Sequence, residues 1–331
     1  MRVAVIGAGA VGGTLAALLH RAGHEVDVTA RGENLRTLQE DGLLLTGAWG
    51  THTARVAAAE RLGRPPELAL VTAKIADAAD AMSANAGYLR GIPVVVVQNG
   101  LEGVRGGRRA LPHSDVVGGL ALFAASLVAP GRVSVTAAAE TILGVPGAAP
   151  TLPVLSAVEL LDPILPVRAT ANFEGAQWTK LVINGVNAVP AITGLSVQAT
   201  LADPALRAVV TRGMQETVRV GVAAGIRFDP ISGLGDRTLR AFARLPVRLA
   251  QAVPARMGRR MGATPNPGST LQSIRRGRPT EVDGLNGAVV AQAARLRLDS
   301  PVNAALVAMV HEVEASRAHL PVAEVVRRVA G

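Results

Sequence analysis

The sequence contains no cysteine. Disulfides, thiolate metal sites and cysteine nucleophiles are thereby excluded, and the absence fits a reducing, cytoplasmic setting. Aromatic residues make up only 2% of the chain, so the core must be built from Ala, Val, Leu and Ile. That scarcity also removes the row of rings on which unpaired nucleic-acid bases would stack. Long apolar runs are missing too: the longest candidate, around Val116–Ala129, is interrupted by Gly and Ser and is too short to cross a bilayer. Lysine is nearly absent, because of 34 basic residues only Lys74 and Lys180 are lysines. The scarcity raises the question of what a lysine does at either position that arginine would not.

What remains is a chain of 331 residues, 49% of them hydrophobic, enough for two domains with substantial cores. The net charge of +9 would suit a polyanion, but the arginines are spread along the chain except for a cluster between Arg256 and Arg278. A small anionic substrate is therefore the expected partner, rather than nucleic acid or membrane. The Arg256–Arg278 cluster is read as solvating a loop. No metal is expected, and the sequence does not specify whether the chain forms a homodimer. The N-terminal "MRVAVIGAGAVGGTLAALL" looks superficially like a signal peptide, but its glycine spacing points elsewhere.

The first half alternates short β-rich runs with helical segments: "RVAVIG" (2–7), "HEVDVTA" (24–30), "ELALVTA" (67–73) and "IPVVVVQ" (92–98). The last is apolar on both faces, as a central parallel strand covered on each side should be. Further strands are expected at 116–124, 131–137 and 140–146. The fold class is α/β, with an N-terminal doubly wound, Rossmann-type parallel sheet and a C-terminal all-helical domain. The domains are expected over 1–168 and 169–331, with a linker in "LLDPILPVRAT" (160–170). In the second half, Asp203-Pro204 predicts a helix start with its end near Gly225. Thr280 and Asp283 predict a capping-box variant opening a helix to about Leu298, and Pro301 predicts another. Residues 254–279, rich in Pro, Gly and Arg, read as one long connection.

Gly7, Gly9 and Gly12 form G-x-G-x-x-G directly after the first strand and before a helical segment. The first glycine permits the tight turn, the second lets backbone approach a pyrophosphate, and the third allows close helix packing, with the helix N-terminus facing the phosphates. A flavin is the minor competitor to a nicotinamide dinucleotide. At the end of the second strand an NAD site usually carries Asp or Glu, whereas this chain has Arg31. A guanidinium fork suits a 2′-phosphate, so NADP(H) is the expected cofactor. Asp27 sits too early in its strand to serve the ribose. Lys74 and Asn99 lie at the carboxyl ends of the third and fourth strands, the edge at which such sheets bind ligands; a solvated helix start and a turn former are the plainer roles for them.

Lys180 lies in "QWTKLVINGVN" (177–187). On a helix turning about 100° per residue, Asn184 falls about 40° from Lys180 and Asn187 about 20° to its other side, giving one polar stripe framed by Leu181, Val182 and Ile183. An arginine stays charged there, whereas a desolvated ammonium has a lowered pKa and can release a proton. A ketone receiving hydride needs a proton on its oxygen, so Lys180 suits the general acid; a snorkelling lysine is the alternative. Glu281, in "RGRPTEVDGLNG", is either an ordinary helix-start carboxylate or the electrostatic partner of Lys180 and a substrate acceptor. Ser269, in "NPGSTLQSI", is placed to donate to a substrate carboxylate. No histidine lies in these segments, which disfavours a histidine general acid.

Together "GAGAVG", "AR" after the second strand, "QNGLEGV", "APGRV", "WTKLVINGVN", "STLQSIRRGRPTEVDGLNG" and "SPVNAALVAMV" resemble the ketopantoate reductase family, in consistent order from Met1 to about Glu314. The resemblance implies a Rossmann domain followed by a helical domain, with the active site in the cleft between them, and hydride transfer from NADPH to 2-dehydropantoate to give (R)-pantoate. It implies that Gly7, Gly9 and Gly12 bind pyrophosphate and Arg31 the 2′-phosphate, with Lys74 and Asn99 at the cofactor and active-site edge. It further implies that Lys180 is the general acid, that Asn99, Asn184, Asn187 and Ser269 hold substrate, and that Glu281 orients Lys180 and the substrate hydroxyl. The chain departs from the family pattern in three places. Asn184 and Asn187 are three apart rather than four and are followed by Ala188 instead of Pro; Val135 replaces a histidine; and Gly268 replaces a serine before Ser269. These changes reach the substrate side more than the cofactor side. A reductase of another keto acid or an imine, and a non-redox cofactor-binding relative, are the alternatives.

Overall fold

β-Branched and aliphatic residues at alternating positions, such as those of "PVVVV", cannot expose either face to water, and in the structure both faces are covered. The computed structural model describes residues 1–262 and 265–330, and the chain divides into two units, Met1–Phe173 and Glu174–Gly331. The first unit runs β1 (Arg2–Ile6), α1 (Ala10–Arg21), β2 (Glu25–Thr29), α2 (Gly32–Glu40), β3 (Leu43–Gly47), β4 (His52–Ala54), β5 (Ala57–Ala59), β6 (Leu68–Val71), α3 (Ile75–Ser83) and α4 (Ala86–Leu89). It continues with β7 (Pro93–Val97), α5 (Gly103–Ala110), β8 (Asp115–Ala121), β9 (Ala124–Ala129), β10 (Arg132–Ala137), β11 (Thr141–Gly144), α6 (Leu152–Leu161) and β12 (Val167–Ala169).

Eight strands form one sheet in the order β12-β11-β8-β7-β6-β1-β2-β5, parallel from β5 to β8 and antiparallel at β8–β11. The remaining four form a second sheet, β4-β3-β10-β9. Alternation along the strands assigns the two faces: Val3, Val5, Val95, Val97 and Val117 join α1 and α6 in one core, while Val94, Val96 and Val116 face the opposite way. Helix α1 packs on β1 and β2 with one side and on the small sheet with the other. That double contact explains why Leu15 to Leu19 are all fully buried.

The expected α/β architecture is borne out, with corrections in detail. The stretch 160–170 is not a linker: it holds the end of α6 and the edge strand β12, paired with β11. Asp27, within β2, is buried and ion-paired to Arg64 at 3.0 Å.

The second unit contains α7 (Phe173–Asn184, starting at the boundary), a 3₁₀ turn (Gly185–Asn187), α8 (Ala188–Thr193), α9 (Val197–Ala202), α10 (Pro204–Ala223), α11 (Asp236–Arg244), α12 (Val247–Ala250) and α13 (Ala252–Arg260). After these come α14 (Gly268–Arg275), a 3₁₀ turn (Val282–Gly284), α15 (Asn286–Arg295), α16 (Pro301–Ser316) and α17 (Val322–Ala330). Helix α10 is the spine, packed against α9, α11, α15, α16 and α17. Asp203 caps it as its sequence predicts, accepting from the Ala205 and Leu206 amides at 2.8 and 3.0 Å, and Pro204 fills the first turn. Two expectations fail here. Residues 254–279 are not one connection but the greater part of α13 followed by α14, with Ala263 and Thr264 outside the described residues. Thr280 does not open a long helix: its hydroxyl accepts from the Val282 amide at 3.3 Å and starts only the 3₁₀ turn, and α15 begins at Asn286.

Candidate active site

In the first unit the carboxyl ends of β7, β6, β1 and β2 stand side by side, and each carries one of the residues expected to meet a dinucleotide. Asn99 follows β7, Lys74 follows β6, the glycine turn follows β1 and Arg31 follows β2. Adjacent strands are about 4.8 Å apart, so the row spans about 14 Å from Asn99 to Arg31. The chain enters at β1, adds β2 on one side and returns to β6 on the other. The glycine turn therefore sits where the strand order reverses, the place at which such sheets open a crevice.

Each glycine of the turn has its own physical reason. Gly7 has φ +105°, and a Cβ there would lie 2.8 Å from the Ala73 amide nitrogen. A Cβ on Gly12 would fall 2.0 Å from the Gly7 carbonyl oxygen and 2.2 Å from the Thr72 hydroxyl, so only glycine lets α1 start this close to the turn. At Gly9 the same construction meets nothing within 4 Å. The backbone at Gly9 is thus open on the side where a pyrophosphate would approach, and the first turn of α1 holds no acidic side chain to oppose it. Three side chains that the sequence reading passed over hold this turn. Thr72 donates to the Gly7 carbonyl at 2.7 Å, Asn34 donates to the Ala8 carbonyl at 3.0 Å, and Gln98 donates to the Ala73 carbonyl at 2.7 Å. Their signal was positional only, since each lies within three residues of a strand end or helix start. Arg31 is the N-cap of α2 and is exposed, as is Lys74 at the N-cap of α3, while Asn99 is half-buried. These residues fit a dinucleotide, with the open backbone of the glycine turn toward its pyrophosphate.

In the second unit α7 carries Lys180 among buried neighbours, with Trp178, Thr179, Leu181 and Val182 all at 3% exposure or less. The Thr179 hydroxyl reaches the Gly175 and Asp229 carbonyls at 2.9 and 2.8 Å and fixes the helix in place. Lys180 itself is 8% exposed. Burial pulls its ammonium down to about 8, and the carboxylate of Glu281 acts in the opposite direction to hold the proton on. The structure thereby couples Lys180 with Glu281. Glu281 is half-buried and stands at the entrance of the 282–284 turn.

The stripe of Lys180, Asn184 and Asn187 needs a correction. After Asn184 the backbone tightens, with ψ of −15° at Asn184 and −21° at Asn187, and Gly185–Asn187 is a 3₁₀ turn. Three residues of such a turn make one revolution, so Asn187 lies over Asn184, about 6 Å further along the axis, and not on the far side of Lys180. The Asn187 amide donates to the Ser269 hydroxyl at 3.4 Å, which brings these two expected substrate residues together. Gly268 has φ +72°, and a Cβ there would sit 2.7 Å from the Asn187 carboxamide oxygen. Val135, by contrast, is buried in β10 within the first unit's core.

A buried carboxylate escaped the sequence reading. Glu216 on α10 accepts from the Ser300 hydroxyl, the Val302 and Asn303 amides and the Asn303 side chain, all at 2.9–3.0 Å, and so clamps the start of α16 to the spine. The residues involved are more than 80 apart in sequence, and no local pattern announces them. Among the described residues no group of three His, Asp or Glu side chains is arranged to hold a metal ion, and no helix is long and apolar enough to cross a membrane.

Comparison with known proteins supplies the context. Residues 3–147 match the family model described as ketopantoate reductase PanE/ApbA, and residues 172–314 match its C-terminal counterpart. A 2-dehydropantoate 2-reductase of Pyrococcus horikoshii is 26% identical over 321 residues, covering 95% of this chain and 98% of its own. A crystal structure of a PanE/ApbA family ketopantoate reductase from Ralstonia eutropha superposes with a TM-score of 0.80 at 28% identity, covering 96% of this chain and all of the other. D-mandelate dehydrogenase, solved with NADH and anilino(oxo)acetate, shares the fold with a TM-score of 0.79 at 19% identity over 96% of this chain and 99% of its own. The two matched segments together span most of the sequence, and the chain belongs to the ketopantoate reductase family.

Proposed function

We propose that this chain reduces 2-dehydropantoate to (R)-pantoate with NADPH, residues 1–168 holding the dinucleotide and 169–331 the substrate. The observation that carries the reading is Lys180: a buried ammonium on α7, tuned to about 8 and opposed by Glu281. A general acid works best when its pKa lies near the operating pH, and an arginine at this position would not release its proton. Gly7, Gly9 and Gly12 with the N-terminus of α1 bind the pyrophosphate, and Arg31 takes the 2′-phosphate. When bound, the nicotinamide supplies hydride to the keto carbon. The Lys180 ammonium gives its proton to the carbonyl oxygen as charge builds there, leaving a neutral amine. Glu281 keeps the proton on Lys180 until that moment and accepts from a substrate hydroxyl. Asn184, Asn187 and Ser269 orient the keto acid, and Lys74 and Asn99 line the edge where cofactor and substrate meet. A cytoplasmic homodimer belongs to the same reading.

A second reading keeps the chemistry and changes the substrate to another small 2-keto acid. It is favoured by Gly268 and Asn187, whose close approach reshapes the substrate side. The deciding experiment follows NADPH consumption across a panel of 2-dehydropantoate, other 2-keto acids and cyclic imines, for the wild type and for Lys180→Ala. Turnover should fall roughly 10²–10⁴-fold in the variant while NADPH affinity is retained. Consumption with no keto acid, or full turnover in Lys180→Ala, would remove the proposal.

A further inference from the structure

Glu281 has a short, half-exposed turn for support, yet its carboxylate has to stay close to Lys180 for the acid to remain protonated. Helix α16 grips that turn at three points. Glu314 accepts from the Thr280 amide at 2.7 Å, immediately before Glu281. The His311 imidazole lies between two carboxylates, with Nδ1 2.7 Å from Glu314 and Nε2 2.9 Å from Asp283, two residues after Glu281. The Asn303 side chain accepts from Asn286 at 2.9 Å, where α15 begins. Asn303, His311 and Glu314 lie within about 80° of one another around α16, so one face of one helix supplies all three contacts. The Glu216 carboxylate ties the start of that helix to α10.

We propose that His311 and Glu314 are positioning residues that hold the Thr280–Asp283 segment so that the Glu281 carboxylate stays beside Lys180. The inference rests on the assignment of Lys180 and Glu281 given above. Its chemistry is charge-assisted: a protonated imidazole donates from both nitrogens, one to each carboxylate, whereas a neutral ring donates from only one and turns a lone pair toward the other. The two carboxylates raise the pKa of His311 through the hydrogen bonds of Asp283 and then Glu314, so the doubly donating form persists to higher pH than in a free histidine. Arg328, on the neighbouring α17, is engaged by Glu312 and Glu324 and leaves Glu314 to His311 and Thr280.

The test exploits the scarcity of lysine. With two lysines in the chain, a ¹⁵Nζ-lysine NMR spectrum holds two signals, and the one that titrates anomalously reports Lys180 directly, without turnover. In Glu314→Ala and His311→Gln the Lys180 pKa should drop below its wild-type value, because the carboxylate that raises it is no longer held close. Turnover should fall roughly 10–100-fold, the usual cost of a misplaced group, with the KM for NADPH unchanged. Glu314→Gln should restore part of the turnover, since its carbonyl oxygen still accepts from Thr280 while its amide nitrogen no longer accepts from His311. In the wild type, His311 and Lys180 should each contribute a step to the fall in activity as pH rises, and His311→Gln should lack one of the two steps. A merely structural role would lower the melting temperature while leaving the Lys180 titration and the shape of the pH profile as they are, and that result overturns the proposal. If the wild type reduces no keto acid, the functional assignment falls, and the two lysine signals still decide whether α16 sets Glu281.

Discussion

Replacing Lys180 with methionine should stabilise the protein while silencing it. A fall from the ordinary lysine value of 10.5 to about 8, at ~1.4 kcal/mol for each tenfold change in proton affinity, means that the buried ammonium costs the folded state about 3 kcal/mol at neutral pH. Methionine fills a similar volume without charge. Glu281 loses its cation in the variant, but it is half-exposed and rehydrates, returning roughly 1 kcal/mol of the gain. The net expectation at pH 7 is about 2 kcal/mol, or about 4–8 °C in melting temperature for a domain of this size. The sign of the pH dependence follows from linkage. The folded pKa lies below the unfolded one, so the penalty is present in full below about 8 and disappears as pH rises toward 10.5. By pH 9.5 the wild type recovers more than half of its deficit, and the advantage of the variant should shrink below about 1 kcal/mol. Thermal or urea denaturation of both proteins at pH 7 and 9.5 measures this. A variant no more stable than the wild type at pH 7, or one whose advantage persists unchanged at pH 9.5, would refute the claim that position 180 holds a desolvated, titratable cation.

Turnover of the wild type should decline as pH rises through about 8, because Lys180 must carry its proton to act as an acid; a rate that climbs through this range would contradict the assignment. Arg31→Ala should weaken NADPH far more than NADH in a binding titration, and equal losses would remove the phosphate fork. Gly9→Ala and Gly12→Ala should part company. The first meets no protein atom and should keep its melting temperature while losing dinucleotide affinity, whereas the second collides with backbone and should lose both. Gly268→Ser should raise the KM for the keto acid and leave that for NADPH unchanged, because its Cβ displaces the Asn187 carboxamide; an unaltered keto-acid KM would separate Asn187 from substrate.

The first unit was largely legible because its signals are local. Glycine spacing, strand alternation and the residues at strand ends are all read within about ten residues, and they place β1, β2, β6, β7, β8, β10 and β11 to within a few residues. Among the strands that escaped are two that exist only through their neighbours. The three alanines of β5 have no extended preference of their own and become a strand by pairing with β2. Strand β12 is three residues after a proline and is fixed by β11. In the second unit proline marks helix starts as well as loops, as at Pro204 and Pro301. Pro254 and Pro267 read from sequence as marks of a loop, yet Pro254 occupies the first turn of α13 and Pro267 the cap of α14, positions where a missing amide costs nothing. Lys180 was legible for a different reason: in a chain that uses arginine almost everywhere, a lysine amid apolar residues is itself a signal.

The two departures on the substrate side turn out to be one structural event. Asparagines four apart would occupy adjoining faces of a continuous α-helix, and losing one residue would carry the second away from the first. The chain avoids that by winding Gly185–Asn187 as a 3₁₀ turn, in which residues three apart eclipse, so Asn187 stays above Asn184 with the shorter spacing. The tighter turn brings the Asn187 carboxamide to the start of α14, where a side chain at 268 would lie 2.7 Å from its oxygen. Glycine at 268 is then required by Asn187 as well as by its own φ of +72°, and Ser269 remains within 3.4 Å as the hydroxyl partner. A missing residue in one helix and a missing side chain in another thus compensate each other, keeping three polar groups together while changing the space around them. On the proposed assignment, selectivity among keto acids should reside in that space, because both changes lie apart from Gly7, Gly9, Gly12 and Arg31 in sequence and in fold.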